Sequence, residues 1–265
     1  MQEKRSGTLS SVPLPISVIL AKVQPLILDK SRGVREQLLK FLQFLPLGSV
    51  NGHANQFLLY IRAGMTHLAA EIRGSALDAL RWLIAVTADE AVVCPGGWAR
   101  TLRCFLVMLG WDAGNGVRGT TTAAKANSVS VSYGKVFGDP KSTVKQFSVL
   151  ATFLEQGLGR NNNCDADNVD IAAMEFPLRH VSQHVISNRS DCFAHLNLFG
   201  SVRDDESQMY EDREDRQEFF KRCIWPSLSS GIENSKKEGG EIGRAAALLA
   251  KAVAENMSDF QEIDT

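Results

Sequence analysis

Two stretches of the chain superpose on each other at a shift of 38 residues, and this echo limits the fold more than any other feature. Val34, Leu38, Leu39, Phe41, Leu42 and Leu45 return as Ile72, Ala76, Leu77, Ala79, Leu80 and Leu83, with an arginine directly after the first position each time, Arg35 and Arg73. The preceding segments agree as well, Ile19, Leu20, Val23 and Ile27 aligning with Phe57, Leu58, Ile61 and Met65. Spacings of three and four residues place these side chains on one helical face, so each unit reads as two amphipathic helices in succession. Such a pair cannot bury its stripe alone. It must stack on a neighbour, and stacked pairs present an extended surface for partners rather than a reaction pocket. The expected class is all-α.

Bulk composition narrows the setting. The 44% hydrophobic content is that of a water-soluble chain with a core, and no apolar run approaches the roughly 18 residues of a membrane span. Five cysteines, at 94, 104, 164, 192 and 223, are odd in number and scattered, which fits a reducing compartment rather than a disulfide framework. The net charge of -1 hides a polarity: residues 1–111 carry 12 Lys+Arg against 7 Asp+Glu, and residues 204–265 carry 8 against 15. That asymmetry suits docking between basic and acidic surfaces or loose contact with RNA phosphates, and equally suits solvated helix faces.

Along the chain, Pro25 falls inside the first apolar segment and predicts a bent helix, while Asp29 to Gly33 reads as a polar turn. The second helix is expected to end near Leu45-Pro46. The order Pro25, Asp29, Val34-Arg35 resembles the HEAT repeat, which implies an armadillo/HEAT-like helical-repeat solenoid whose aspartate and arginine link successive turns through a ladder of hydrogen bonds. In the second unit Ala63 and His67 replace Pro25 and Asp29, so its first helix should be straighter. Trp98, Thr101, Leu102, Phe105, Leu106 and Leu109 mark the first helix of a third pair. Its mate resumes at Pro140, with Val144, Phe147, Leu150, Ala151 and Leu154 on one face, and ends at Gly157 and Gly159. The intervening segment is either a disordered loop or a partner-binding insertion. Further helices are expected over Val169–Ile186, over Tyr210–Trp225, and over Glu241–Met257 as a C-terminal cap. The implied organisation is a flexible extension over 1–15, repeats over 16–111, an insertion over 112–139, further repeats and the cap over 140–257, and a tail over 258–265.

Chemical motifs argue for binding. Gly114-Asn-Gly116-Val-Arg-Gly119 matches the dinucleotide fingerprint as a string, but a helix precedes it and a Ser/Thr-rich stretch follows, where that fold needs strand and helix. His180, His184, Cys192 and His195 offer zinc-type ligands at a spacing no common zinc module uses, so they read as packing or surface residues and no metal is expected. No nucleophile elbow, phosphate loop or EF-hand string occurs, so neither catalysis nor a cofactor is expected. Partner-binding candidates are the aromatic and basic residues of the repeats, Tyr60, Arg62, His67, Arg81 and Trp111, because aromatics and arginines dominate interface energetics. Trp98 reads as core, whereas Trp111 stands evenly between core and interface.

Leu58-Leu-Tyr-Ile-Arg-Ala-Gly-Met-Thr-His-Leu68, Cys94-Pro-Gly-Gly-Trp98, Leu109-Gly-Trp111 and Gly239-Gly-Glu-Ile-Gly-Arg-Ala-Ala246 resemble the fungal pre-ribosomal-RNA-processing HEAT-repeat family, to which animal testis-expressed protein ten is related. The resemblance is most specific over residues 16–111. It implies a non-catalytic scaffold subunit of a nuclear and nucleolar complex that processes the second internal transcribed spacer of the large-subunit precursor. The partners it implies are a helical scaffold subunit, a WD-repeat subunit, the midasin-type ATPase and the pre-ribosomal particle, with weak rRNA contact and no membrane. The competing reading is a nuclear-transport or peptide-binding adaptor of the armadillo/HEAT type.

Overall fold

A computed structural model describes residues 16–45, 50, 52–87, 89–111, 139–159 and 206–260. The glycine string at 114–119, the His/Cys cluster at 180–195 and the helix expected over Val169–Ile186 lie outside them. The described residues are all-helical, without a strand. In chain order they form α1 (Ile16–Val23), a 3-10 helix (Gln24–Leu28), α2 (Arg32–Gln43), α3 (Ala54–Met65), α4 (Ala70–Thr87), α5 (Glu90–Val93) and α6 (Gly97–Leu109). There follow α7 (Pro140–Leu158), α8 (Arg213–Phe219), a π turn (Phe220–Ile224), α9 (Trp225–Glu238) and α10 (Gly240–Asn256).

Local chemistry accounts for the breaks. Pro25 has no N–H to give, and the chain tightens there from α1 into the 3-10 helix, the bend expected of it. With alanine at the equivalent position, α3 runs as one α-helix. α2 stops at Gln43, slightly before the expected end, because Phe44 and Leu45 already bond back three residues, to Phe41 and Leu42. Gly110, at φ +70°, closes α6: its N–H bonds Val107 at 3.1 Å and that of Trp111 bonds Leu106 at 2.8 Å, the paired bonds of a Schellman ending. Asp139 caps α7 by accepting from Lys141 N–H at 3.4 Å.

The helix expected over Tyr210–Trp225 differs in both bounds. Residues 206–210 are drawn across the start of α6, where Gly96 N–H bonds Gln208 O at 3.1 Å, so α8 starts only at Arg213. At its far end Pro226 would clash with the preceding turn, and the wider π turn relieves that clash and lets helical structure continue to Glu238. Likewise Gly157 lies inside α7 and only Gly159 ends it.

The helices pack on neighbours both near and far in the chain. α3 lies against α4 and the 3-10 helix, α4 against α2 and α7, and α6 against α3 and α7. The most extensive contact joins α7 to α10, which also carries α9. The echoed positions share one core: Leu20 and Leu58, Ile27 and Met65, Leu38 and Ala76, and Leu42 and Leu80 are all buried. Trp98 is fully buried, stacked on Phe153 at a centroid distance of 5.4 Å, with its indole N–H donating to Arg216 O at 3.2 Å. It fits because Gly157 has no side chain; a Cβ there would stand 2.2 Å from Trp98 Cζ3.

Three buried arginines share one geometry. Arg35, Arg73 and Arg216 are each the fourth residue of a helix, α2, α4 and α8. Each sends one guanidinium nitrogen back to two carbonyls of the preceding turn: Arg35 to Asp29 and Lys30, Arg73 to His67 and Leu68, Arg216 to Tyr210 and Glu211, all between 2.6 and 3.1 Å. Arg35 also reaches Ser75 Oγ on α4 at 3.0 Å, and Arg216 reaches Gly157 O on α7 at 2.7 Å. Asp29 and Arg35 do not pair through their side chains. Asp29 Oδ1 instead accepts from the orphan N–H of Ser31 at 2.7 Å, at the entry to α2, which leaves Arg35 to the backbone.

Removing a buried guanidinium strands the carbonyls it serves. Arg216→Leu is expected to lower unfolding free energy by roughly 1–3 kcal/mol and Arg32→Leu, on an exposed face, by less than about 0.5 kcal/mol, read from denaturant titrations. Gly157→Ala forces a methyl into the Trp98 ring and should cost about 1–3 kcal/mol in the same assay, with a matching drop in Tm.

Candidate partner-binding surface

α3 and α6 each present a stripe on the side away from the core. Leu59, Arg62, Ala63 and Thr66 repeat at intervals of three and four on α3, and Arg100, Arg103, Cys104 and Val107 repeat the same intervals on α6. Because the two helices pack together, the stripes meet along an open cleft of 380 Å³, with Glu206 at its edge. Aliphatic side chains line its floor and three guanidiniums its walls. Leu59 is 60% exposed.

The guanidiniums are held in place. Arg62 Nη1 donates to Gly96 O at 2.9 Å, and burial pushes its pKa below the ordinary arginine value. Arg103 pairs with Glu206 at 2.7 Å, and Arg100 donates to Ser207 Oγ. Burial pushes the two cysteines nearby, Cys94 and Cys104, up to about 11, which keeps both thiols neutral at neutral pH. Fixed cations over an apolar floor, with no activated nucleophile, are equipped to hold an anionic segment.

The five candidates from the sequence do not converge. Arg62 lines the cleft. Tyr60, two residues earlier and therefore about 200° round the helix, is half-buried against the core. His67 belongs to the turn between α3 and α4, where Nδ1 accepts from Ala69 N–H at 3.0 Å and its carbonyl accepts from Arg73. Arg81 is exposed on α4 and reaches Ser148 Oγ on α7 at 3.3 Å. Trp111 is a half-buried wedge, its ring 5.4 Å from that of Phe147, and a Cβ on Gly231 would stand 2.1 Å from its Cδ2. Arg100, Arg103 and Glu206 were not singled out from the sequence. The helical period already carried the first two, since they occupy the polar complement of the stripe that holds Trp98, Leu102, Phe105 and Leu109. Glu206 meets them only through a contact across more than 100 residues.

Among the described residues no helix is long and apolar enough to cross a membrane, and no three His, Cys, Asp or Glu side chains group to hold a metal ion.

Comparison with known proteins supplies the relatives of this arrangement. Residues 48–154, which contain α3, α4, α6 and most of α7, match the family described as "Rix1 complex component involved in 60S ribosome maturation". The pre-rRNA-processing protein ipi1 of Sclerotinia sclerotiorum is 43% identical over 254 residues, 96% of this chain and 72% of that protein. Its counterpart in Neosartorya fischeri is 44% identical over 252 residues, 93% and 71% of the two chains. That of Chaetomium thermophilum is 41% identical over 254 residues, 94% and 70% of the two. With identity above 40% over more than nine-tenths of its length, the chain belongs to the ipi1 family of pre-rRNA-processing proteins.

Proposed function

We propose that the chain is a non-catalytic scaffold subunit of the Rix1 complex, acting in the nucleus and nucleolus on the precursor of the large ribosomal subunit. The observation that carries the reading is kinship with pre-rRNA-processing ipi1 proteins over more than nine-tenths of the chain. The geometry supports it. The 38-residue echo is built as two helical hairpins with one arginine device in each, which is consistent with a HEAT-like reading, and the open cleft between α3 and α6 suits contact rather than chemistry. The partners in this reading are a helical scaffold subunit, a WD-repeat subunit and the midasin-type ATPase, with the pre-ribosomal particle as the object of the work. Arg62 in the cleft and Arg81 on α4 are its contact residues. The transport-adaptor reading is not favoured by this kinship.

Depletion of the protein should make precursor RNA containing the second internal transcribed spacer accumulate on Northern blots, and an unchanged precursor pattern would end the assignment. Leu59→Asp alters an exposed side chain of the cleft floor and should leave the thermal unfolding midpoint unchanged. Recovery of the other complex subunits with the tagged protein is expected to fall about tenfold, the effect of losing an interface anchor.

A further inference from the structure

The strap from Glu206 to Tyr210 reaches the α3–α6 cleft at Glu206 and is tied at Glu206, Ser207, Gln208 and Tyr210. Glu206 pairs with Arg103 and Ser207 accepts from Arg100. Gln208 O accepts from Gly96 N–H, whose own carbonyl is held by Arg62. Tyr210 is buried, with its ring 5.0 Å from that of Phe219. The strap therefore joins the start of α6 to α8.

Ser207 occupies an unusual place in it. The residue is half-exposed, it stands on backbone with no helical hydrogen bonding, and it follows Asp204-Asp205-Glu206 and precedes Glu211-Asp212. Those are features a protein kinase that selects acidic surroundings requires of its substrate. The cleft beside it is lined by three guanidiniums and one carboxylate, a formal surplus of two positive charges. A serine phosphate carries about -1.5 to -2 at pH 7 and three strong acceptor oxygens, so it matches that surplus in sign and size. Arginine is also the side chain whose planar fork best fits phosphate oxygens.

We propose that Ser207 is a phosphorylation site and that Arg100 and Arg103 are the receptor for its phosphate. In the modifying step Ser207 Oγ attacks the γ-phosphorus of ATP; the new O–P bond replaces the bond to ADP, and the hydroxyl proton passes to the kinase's base. The phosphate then lies between Arg100 and Arg103 and latches the strap onto α6. Repulsion from Glu206 opposes this and is outweighed by the guanidiniums. Latching also fills the cationic wall of the cleft, so an acidic partner segment competes with the phosphate for the same side chains.

The site can be read directly, because trypsin releases Asp204–Arg213 as one peptide in which Ser207 and Tyr210 are the only hydroxyl acceptors. Mass spectrometry of the protein isolated from its own cells should find that peptide phosphorylated at Ser207; its absence there overturns the assignment. Separately, the full chain carrying genetically encoded phosphoserine at 207 should show amide hydrogen exchange over 206–210 slowed about tenfold relative to the unmodified chain, the effect of one charge-assisted hydrogen bond. The Arg100→Gln, Arg103→Gln double variant, altered only at exposed or half-exposed positions, should abolish that difference. Exchange that is unchanged or faster in the phosphoserine chain would show that repulsion from Glu206 prevails, and would overturn the receptor.

Discussion

Burial of an arginine at the fourth residue of a helix is the interaction on which this stack depends. A hairpin of two helices leaves carbonyls in its connecting turn with no partner, and stacking on the next hairpin would seal some of them away from water at a cost of a few kcal/mol each. Arg35, Arg73 and Arg216, none more than 5% exposed, meet those carbonyls from inside. Lysine would not serve as well. Its compact ammonium is strongly hydrated and loses its proton on burial, whereas guanidinium stays charged and its fork spans two acceptors at once. Arg35 and Arg216 also reach the neighbouring element, at Ser75 and at Gly157, so these two hold both a turn and the helix packed beside it.

Where the arginine is missing, other devices take over. α7 begins at Asp139-Pro140, so the carboxylate caps the first turn and proline contributes no orphan N–H. The join between this helix and its neighbours is instead made by aromatic rings that occupy the space of absent side chains, Trp98 over Gly157 and Trp111 over Gly231. Close approach of this kind fixes rotation about the helix axis, and the cleft depends on it. Only with α3 and α6 in one rotational setting do the stripes of Arg62 and of Arg100 and Arg103 face each other across a floor of Leu59, Ala63 and Val107.

Much of the helical framework was legible because it rests on local rules. The period of three and four residues located α2, α3, α4, α6, α7 and α10, proline forecast the break after α1, and the 38-residue echo identified α1 to α4 as two copies of one unit. The errors fall where a distant contact overrode a local signal. Gly157 reads as a helix stop and is a helix interior residue, because a tryptophan 59 positions earlier needs its missing Cβ. The helix expected to end at Trp225 continues through Pro226 to Glu238, beyond a π turn. The cleft was half legible, since Arg62 stands out on α3, whereas pairing that stripe with the one on α6, and bringing Glu206 and Ser207 onto it, depends on how helices rotate and which loop crosses them.

By itself the amino-acid order determined an all-helical protein of paired amphipathic segments, free of recognisable catalytic strings, because hydrophobic period, capping and chain punctuation act within a few residues. The tertiary structure alone decided which carbonyls each buried arginine serves, which tryptophans become wedges, and which three guanidiniums share one cleft. Those outcomes turn on distances between groups up to 118 residues apart, and such distances are settled by packing the whole stack at once.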